Sequence, residues 1–208
     1  MATTTPNYGW AVPTSTDLVK DGATAIETLG DSIDASMNTA LGTKKAGMVL
    51  LNTTSFSAVA SQSINDVFSS TYDNYRIICD FIGSTGTNNN MRLRVSGADD
   101  TTSNYMRQYI YAASTTIAAA RSNSQSTWLL GDHDGSNRTV NIVDLISPNL
   151  ARVTGGVHFS AMYYNSSSAN AWLQNGLGFN AATQFTGFTI YPSSGTITGT
   201  VSVYGYNK

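Results

Sequence analysis

Between Thr16 and Leu41 the chain carries a helical repeat, and the residues beyond it have a different period. Val19, Gly22, Ile26, Leu29, Ile33, Ser36 and Ala40 stand three and four residues apart in strict alternation. That is the a/d seam of a heptad pattern. From Gly47 onward the period falls to two, the signature of strands with one face in a core. A chain with this switch folds as a helix followed by a β domain. It is not an alternating α/β sheet, because no strand–helix alternation is present.

The helix has ordinary signals at both ends. Pro13 blocks extension backwards, Thr14, Ser15 and Thr16 are N-cap candidates, and Asp17 and Asp21 suit the positive end of the helix dipole. Gly42 suits a left-handed C-terminal cap, and Lys44 and Lys45 follow it. Glu27, Asp31 and Asp34 keep the opposite face acidic. So polar a helix is marginal alone in water, and Ile26, Leu29 and Ile33 need a cover. The cover is either the chain's own β domain or further copies of the helix. The regular spacing favours copies, in a short oligomeric coiled coil. Ile at a with Leu at d formally leans to a dimer, but Gly22 and Ser36 at d weaken that rule. A threefold assembly is expected on architecture rather than on the a/d code.

Residues 1–15 read as an extended arm rich in Thr and Pro, without period and too small to fold alone. Tyr8 and Trp10, close before Pro13, are costly to leave in water, so the arm docks either back on its own domain or on the helix bundle of its own oligomer, or else on another protein; docking on a partner through these three residues is the expectation. Residues 16–42 are the oligomerisation helix, and residues 46–208 a head of about ten strands. In MRLRVSG, Met91, Leu93 and Val95 alternate with Arg92 and Arg94; in TVSVYGY, Val201, Val203 and Gly205 alternate with Ser202, Tyr204 and Tyr206. The clusters STGTNNN, SGADDTTSN, RSNSQS, GDHDGSN, YNSSSAN and PSSGT read as turns. The expected architecture is an antiparallel β-sandwich or jelly roll. SINDVFSS reads equally as a short strand or one helical turn.

Charged residues make up only 12% of the chain and the net charge is -2. Such a surface has no electrostatic footprint for nucleic acid or for an anionic membrane. No apolar run reaches transmembrane length, no secretory leader is visible, and synthesis in a cytoplasm is expected. Cys79, the single cysteine, sits in the apolar run YRIICDFI and reads as a buried small hydrophobe.

Chemistry-bearing strings are few. Asp132, His133 and Asp134 in GDHDG are a metal candidate by type, but consecutive positions on a turn point apart, and the position expected to carry a calcium-binding Glu is Val143. Asp99 and Asp100 read as turn residues, and His158, among apolar neighbours, as a satisfied strand histidine. No nucleophile elbow, P-loop, dinucleotide fingerprint or HExxH occurs, and nothing in the sequence pairs Asp80, Asp132, Asp134 or Asp144 as glycosidase carboxylates. No catalysis, metal or cofactor is expected. The 11 tyrosines, with many Asn and Ser, suit either a glycan- or protein-binding surface or subunit seams.

The N-terminal stretch NYGWAVPTSTDLVKDGATAIETLGDSIDASM resembles the N-terminal segment of tailed-bacteriophage virion proteins, especially tail fibres. The matching pattern is YGW-x-x-P-x-x-T-D-x-V-K-D-G-A followed by LGD-x-ID. The residues are Tyr8, Gly9, Trp10, Pro13, Thr16, Asp17, Val19, Lys20, Asp21, Gly22, Ala23, Leu29, Gly30, Asp31, Ile33 and Asp34. The C-terminal GTVSVYGYNK is similar to the closing strand of many phage structural proteins. The resemblance implies a homotrimeric virion component. Its arm would bind another tail or capsid protein, and its head would face outward, toward a host-surface glycan or protein if it is a fibre. With no long shaft between helix and head, a capsid decoration protein fits the same plan. A glycan-degrading enzyme fits less well, since no solenoid period is present.

Overall fold

The computed structural model describes residues 3–14, 18–42, 47–113, 115–164 and 169–208. The N-cap candidates Ser15 and Thr16, the neighbouring Asp17, Lys44 and Lys45, and most of the YNSSSAN turn lie outside the described residues. The chain divides into two compact units, Met1–Gly47 and Met48–Lys208.

In the first unit the arm is not a free extended segment. It doubles back as a small hairpin of β1 (Thr3–Thr4) and β2 (Ala11–Val12). Gly9, at φ 67°, makes the turn that only glycine enters without strain. A 3-10 turn, Val19–Asp21, leads into α1, Gly22–Gly42. Among the described residues, no helix is long and apolar enough to cross a membrane.

The second unit is an antiparallel β-sandwich of two unequal sheets. Its strands are β3 (Met48–Val59), β4 (Gln62–Ile64), β5 (Asn74–Gly83), β6 (Gly86–Val95), β7 (Ala98–Asp99), β8 (Tyr105–Ala113), β9 (Thr116–Gln125), β10 (Trp128–Asp134), β11 (Thr139–Ile146), β12 (Val153–Tyr164), β13 (Ala169–Ala182), β14 (Gly187–Pro192) and β15 (Ile197–Tyr206). The large sheet runs β3-β15-β5-β11-β12-β13-β8-β9 and the small one β10-β6-β14-β4, with β7 on β6. The alternation read in the sequence sets much of the core. Met91 and Leu93 are buried, as are Val201, Val203 and Gly205, while Arg92 and Arg94 are only partly covered. Tyr75, Ile77, Cys79 and Phe81 of β5 face Phe188 and Ile190 of β14 within one apolar cluster. Cys79 is fully buried, and burial pushes its thiol up to about 12, so it stays protonated.

Three expected turns are strand instead. GTNNN opens β6, RSNSQ closes β9, and Gly131–Asp134 closes β10. In β6 and β10 the polar residues are paired rather than solvated: Asn89 Oδ1 accepts from His133 Nδ1 at 2.6 Å, and Asn90 donates to Ser193 Oγ at 3.0 Å. SINDVFSS resolves into β4 followed by an irregular segment that buries Val67 and Phe68.

Candidate functional site

The residues expected to anchor the chain come together within the first unit. Tyr8 and Trp10 stack with ring centroids 5.1 Å apart. The indole Nε1–H of Trp10 donates to Ser36 Oγ at 3.0 Å, which lays the hairpin along α1. Pro13 lines a shallow groove of about 390 Å³ with Ala11, Val12, Asp21, Thr24, Ala25 and Thr28. Tyr8 remains 71% exposed despite the stack.

At 3.6 residues per turn, the groove-lining helix positions Asp21, Thr24, Ala25 and Thr28 flank the expected seam, and Ser36 is the seam residue that the hairpin bonds. Gly22, Leu29, Ile33 and Ser36 are partly covered, and Ala40 is exposed. Ile26 is 65% exposed and Val19, in the 3-10 turn, 97%. Met37 extends the same uncovered edge.

In the sandwich a polar cluster occupies one half of the interior. Asn141, His158 and Asn175 sit on the inward faces of three adjacent strands, β11, β12 and β13. His158 bonds Asn141 Oδ1 through Nε2 at 3.0 Å and Asn175 Nδ2 through Nδ1 at 2.7 Å. A neutral ring protonated at Nε2 satisfies both: it donates to Asn141 and accepts from Asn175. Burial, with Arg107 adding a smaller push, takes the His158 pKa down to about 3. Asn141 Nδ2, Asn175 Oδ1 and Ser160 Oγ are buried and take no hydrogen bond within the described residues.

Arg107 connects this row to the sandwich edge. Its guanidinium lies 4.1 Å from the centroid of the Tyr109 ring and donates to the Leu129 carbonyl at 3.3 Å. Desolvation lowers its pKa, partly offset by Tyr109 and Asp132; desolvation likewise raises the Asp132 carboxyl, partly offset by Arg107. The Tyr109 and Tyr111 rings neighbour one another at 6.2 Å, with Tyr111 exposed. An aromatic ledge beside a guanidinium and a carboxylate suits hydroxyl-rich ligands. It does not suit acid–base chemistry by His158, whose two nitrogens are already engaged.

The other sequence candidates are occupied structurally. His133 is buried, edge-on to Phe81 at 6.3 Å, and lies so close to Gly83 that a Cβ there would fall 1.9 Å from its ring. Among the described residues no group of three His, Cys, Asp or Glu side chains is placed to hold a metal. Asp99 pairs with Arg94 and accepts from Thr189 Oγ1 at 2.6 Å, and Asp100 accepts from Thr102 N at 2.9 Å. Asp144 takes a two-pronged bond from Arg76, at 2.8 and 2.6 Å, and a third from Tyr206 at 2.9 Å, which hold its carboxyl below the usual range. Asp80 pairs with Arg138 at 2.8 Å. His158 is the satisfied strand histidine that the sequence suggested; its partners Asn141 and Asn175, and Arg107, escaped the sequence reading. Only the alternation of polar residues within β12 and β13 marks them, and it marks them only if the more polar face turns inward.

Neither family models nor curated protein sequences match the chain. One solved structure that is similar is the crystal structure of Caenorhabditis elegans galectin LEC-6. The identity is 12% over 76% of this chain and 96% of the galectin, with a TM-score of 0.29. A likeness that distant says nothing of ligand or role.

Proposed function

We propose that the chain is a structural protein of a tailed-bacteriophage particle. In this reading it is a homotrimeric tail fibre or receptor-binding protein, anchored by its N-terminal unit and displaying the β-sandwich. One observation carries the reading most: the first unit leaves Val19, Ile26 and Met37 in water on one helix edge. The hairpin engages the seam at one position, where Trp10 bonds Ser36, and leaves those three side chains uncovered. A helix edge of this kind calls for copies of itself. The N-terminal motif from Tyr8 to Asp34 supports the virion setting, and the low charge supports a protein partner over nucleic acid.

A second reading, a capsid decoration protein, is favoured by the short span between α1 and β3, residues 43–47. Electron microscopy of purified particles with an antibody against the sandwich separates the two. Label at the tail tip with a few copies per particle supports the fibre. Label over the shell in hundreds of copies supports decoration. Particles carrying no label would refute both.

A further inference from the structure

The outward face of the large sheet carries an apolar patch that the sandwich's own residues do not cover. Strand register makes it continuous. One cross-strand row joins Val140, Ala161, Trp172, Ala112 and Ile117. The next joins Ile142, Phe159, Gln174 and Ile110, and Val157 follows on the row after. Trp172 is 42% exposed and Ile117 75%.

The pattern within β12 is the strongest signal. His158 and Ser160 point into the sandwich, while Val157 and Phe159 point out. A one-residue slip would reverse every side chain of the strand and bury the apolar set. The observed register keeps the apolar set outside. In β11 both faces are apolar, with Val143 and Leu145 inward and Val140, Ile142 and Ile146 outward. Strands apolar on both faces belong to sheets covered on both faces.

Beside the patch the face is hollow. Gly155 pairs with Gly178, and Val157 with Gly176, across β12 and β13. A Cβ added at Gly155 or Gly176 would meet nothing closer than 3.9 or 3.8 Å, so the single chain does not require glycine at either position. Glycine weakens a strand interior and often marks the close approach of another backbone.

We infer that this face packs against a second copy of the same chain, apolar side chains such as Trp172 and Phe159 seating over the glycine floor of the neighbour. Three properties favour a copy. The five strands that carry the patch, about 4.8 Å apart and about nine residues long, offer about 700 Å² per chain, close to the ~800 Å² per partner of a stable interface. Of the charges bordering the patch, Arg76 with Asp144 and Arg138 with Asp80 are paired within the chain, which leaves the exposed Arg121 at the β9 end of the Val157 row as the charge at its rim. Like therefore meets like with few equal charges set together. The glycine hollow lies on the same face as the bulky residues, so one surface supplies both halves of the fit. The inference deepens the trimer reading and rests on it.

Sedimentation equilibrium of the full chain tests it, with Gly176→Val and Phe159→Ser. Valine at 176 suits a strand and meets open space in the single chain, so circular dichroism should be unchanged. Self-association should weaken about a hundredfold in each variant. Association within threefold of the parent in both variants would overturn the inference and leave the trimer reading standing on the helix. A parent protein that sediments as a monomer would overturn both, including the case where the chain's own N-terminal unit covers the face. Should Gly176→Val not fold, Phe159→Ser decides alone, since it removes a side chain already partly in water.

Discussion

Acid should destabilise this protein from about pH 6.5 downward, and one buried imidazole should account for a defined part of the loss. His158 is fully buried, and its native pKa is about 3 against 6.5 for a free histidine. The native state therefore refuses a proton that the unfolded chain accepts. The neutral ring's contribution is thus complete above pH 6.5, declines as the pH falls through the unfolded value, and is exhausted near pH 3. Within that window the slope is about 1.4 kcal/mol per pH unit. Between pH 7.5 and 5.0 the loss comes to about 2 kcal/mol, a sizeable share of the 5–15 kcal/mol typical of a domain.

The two carboxylates with shifted values do not mimic this. Asp144, held low by Arg76, loses its contribution only below the ordinary carboxylate range. Asp132 has the opposite sign: burial raises its pKa, so the folded chain takes its proton more readily and acid favours folding through it. Urea unfolding at fixed protein concentration, at pH 7.5 and 5.0, should show the loss in the parent. His158→Asn should be less stable than the parent at pH 7.5, because the row of bonds to Asn141 and Asn175 is broken. It should also lose about 2 kcal/mol less than the parent on going to pH 5.0. Equal losses in parent and variant would refute the reasoning, and would mean that water reaches the imidazole in the native state.

Further tests address packing and assembly. Tyr105 is fully buried and bridges two backbone groups, accepting from Leu93 N at 3.0 Å and donating to Asp100 O at 2.9 Å. Tyr105→Phe keeps the ring and orphans both, so chemical denaturation should show a loss of about 1–3 kcal/mol. Ile26→Asp with Leu29→Asp places charge along the proposed helix seam and should weaken self-association measured by light scattering without changing the thermal midpoint of the sandwich.

Much of the fold was legible because the hydrophobic pattern and burial agree where one face of a strand is apolar. β15 and the Met91–Leu93 stretch of β6 are of this kind, whereas Val95, at the end of β6, is exposed. The strands that escaped share a physical reason. β9 is an edge strand whose closing residues, Arg121 to Gln125, are mostly in water, so no alternation is selected there. The opening of β6 and the end of β10 are held by Asn89 and His133 bonding across the sheet rather than by apolar burial. Polar residues that satisfy each other in a core look like turn residues in a sequence. The arm failed differently. Its hairpin is closed by Thr5 and Gly9, and its stability comes from Trp10 reaching Ser36, a contact twenty-six positions away that no local pattern announces. Of the polar interior row the sequence marks His158 alone, because in β12 the more polar face turns inward, the inverse of β6 and β15.

That inversion also ranks the two places where copies of the chain would meet. On the helix, burying one isoleucine side chain contributes about 1.5–3 kcal/mol, and Val19, Ile26 and Met37 are the side chains left to bury along that edge. The sheet leaves more apolar side chains exposed, on strands already ordered by the sandwich, so little further entropy is lost when they pair. Charge in the helix seam should then loosen the proposed assembly and misalign its N-terminal units, whereas valine at 176 should take the heads apart. Measured in one protein, the two losses order the contributions. If Ile26→Asp with Leu29→Asp abolished association while Gly176→Val left it intact, the helix would be the main joint and the outward face of β12 would remain without a reason for its register.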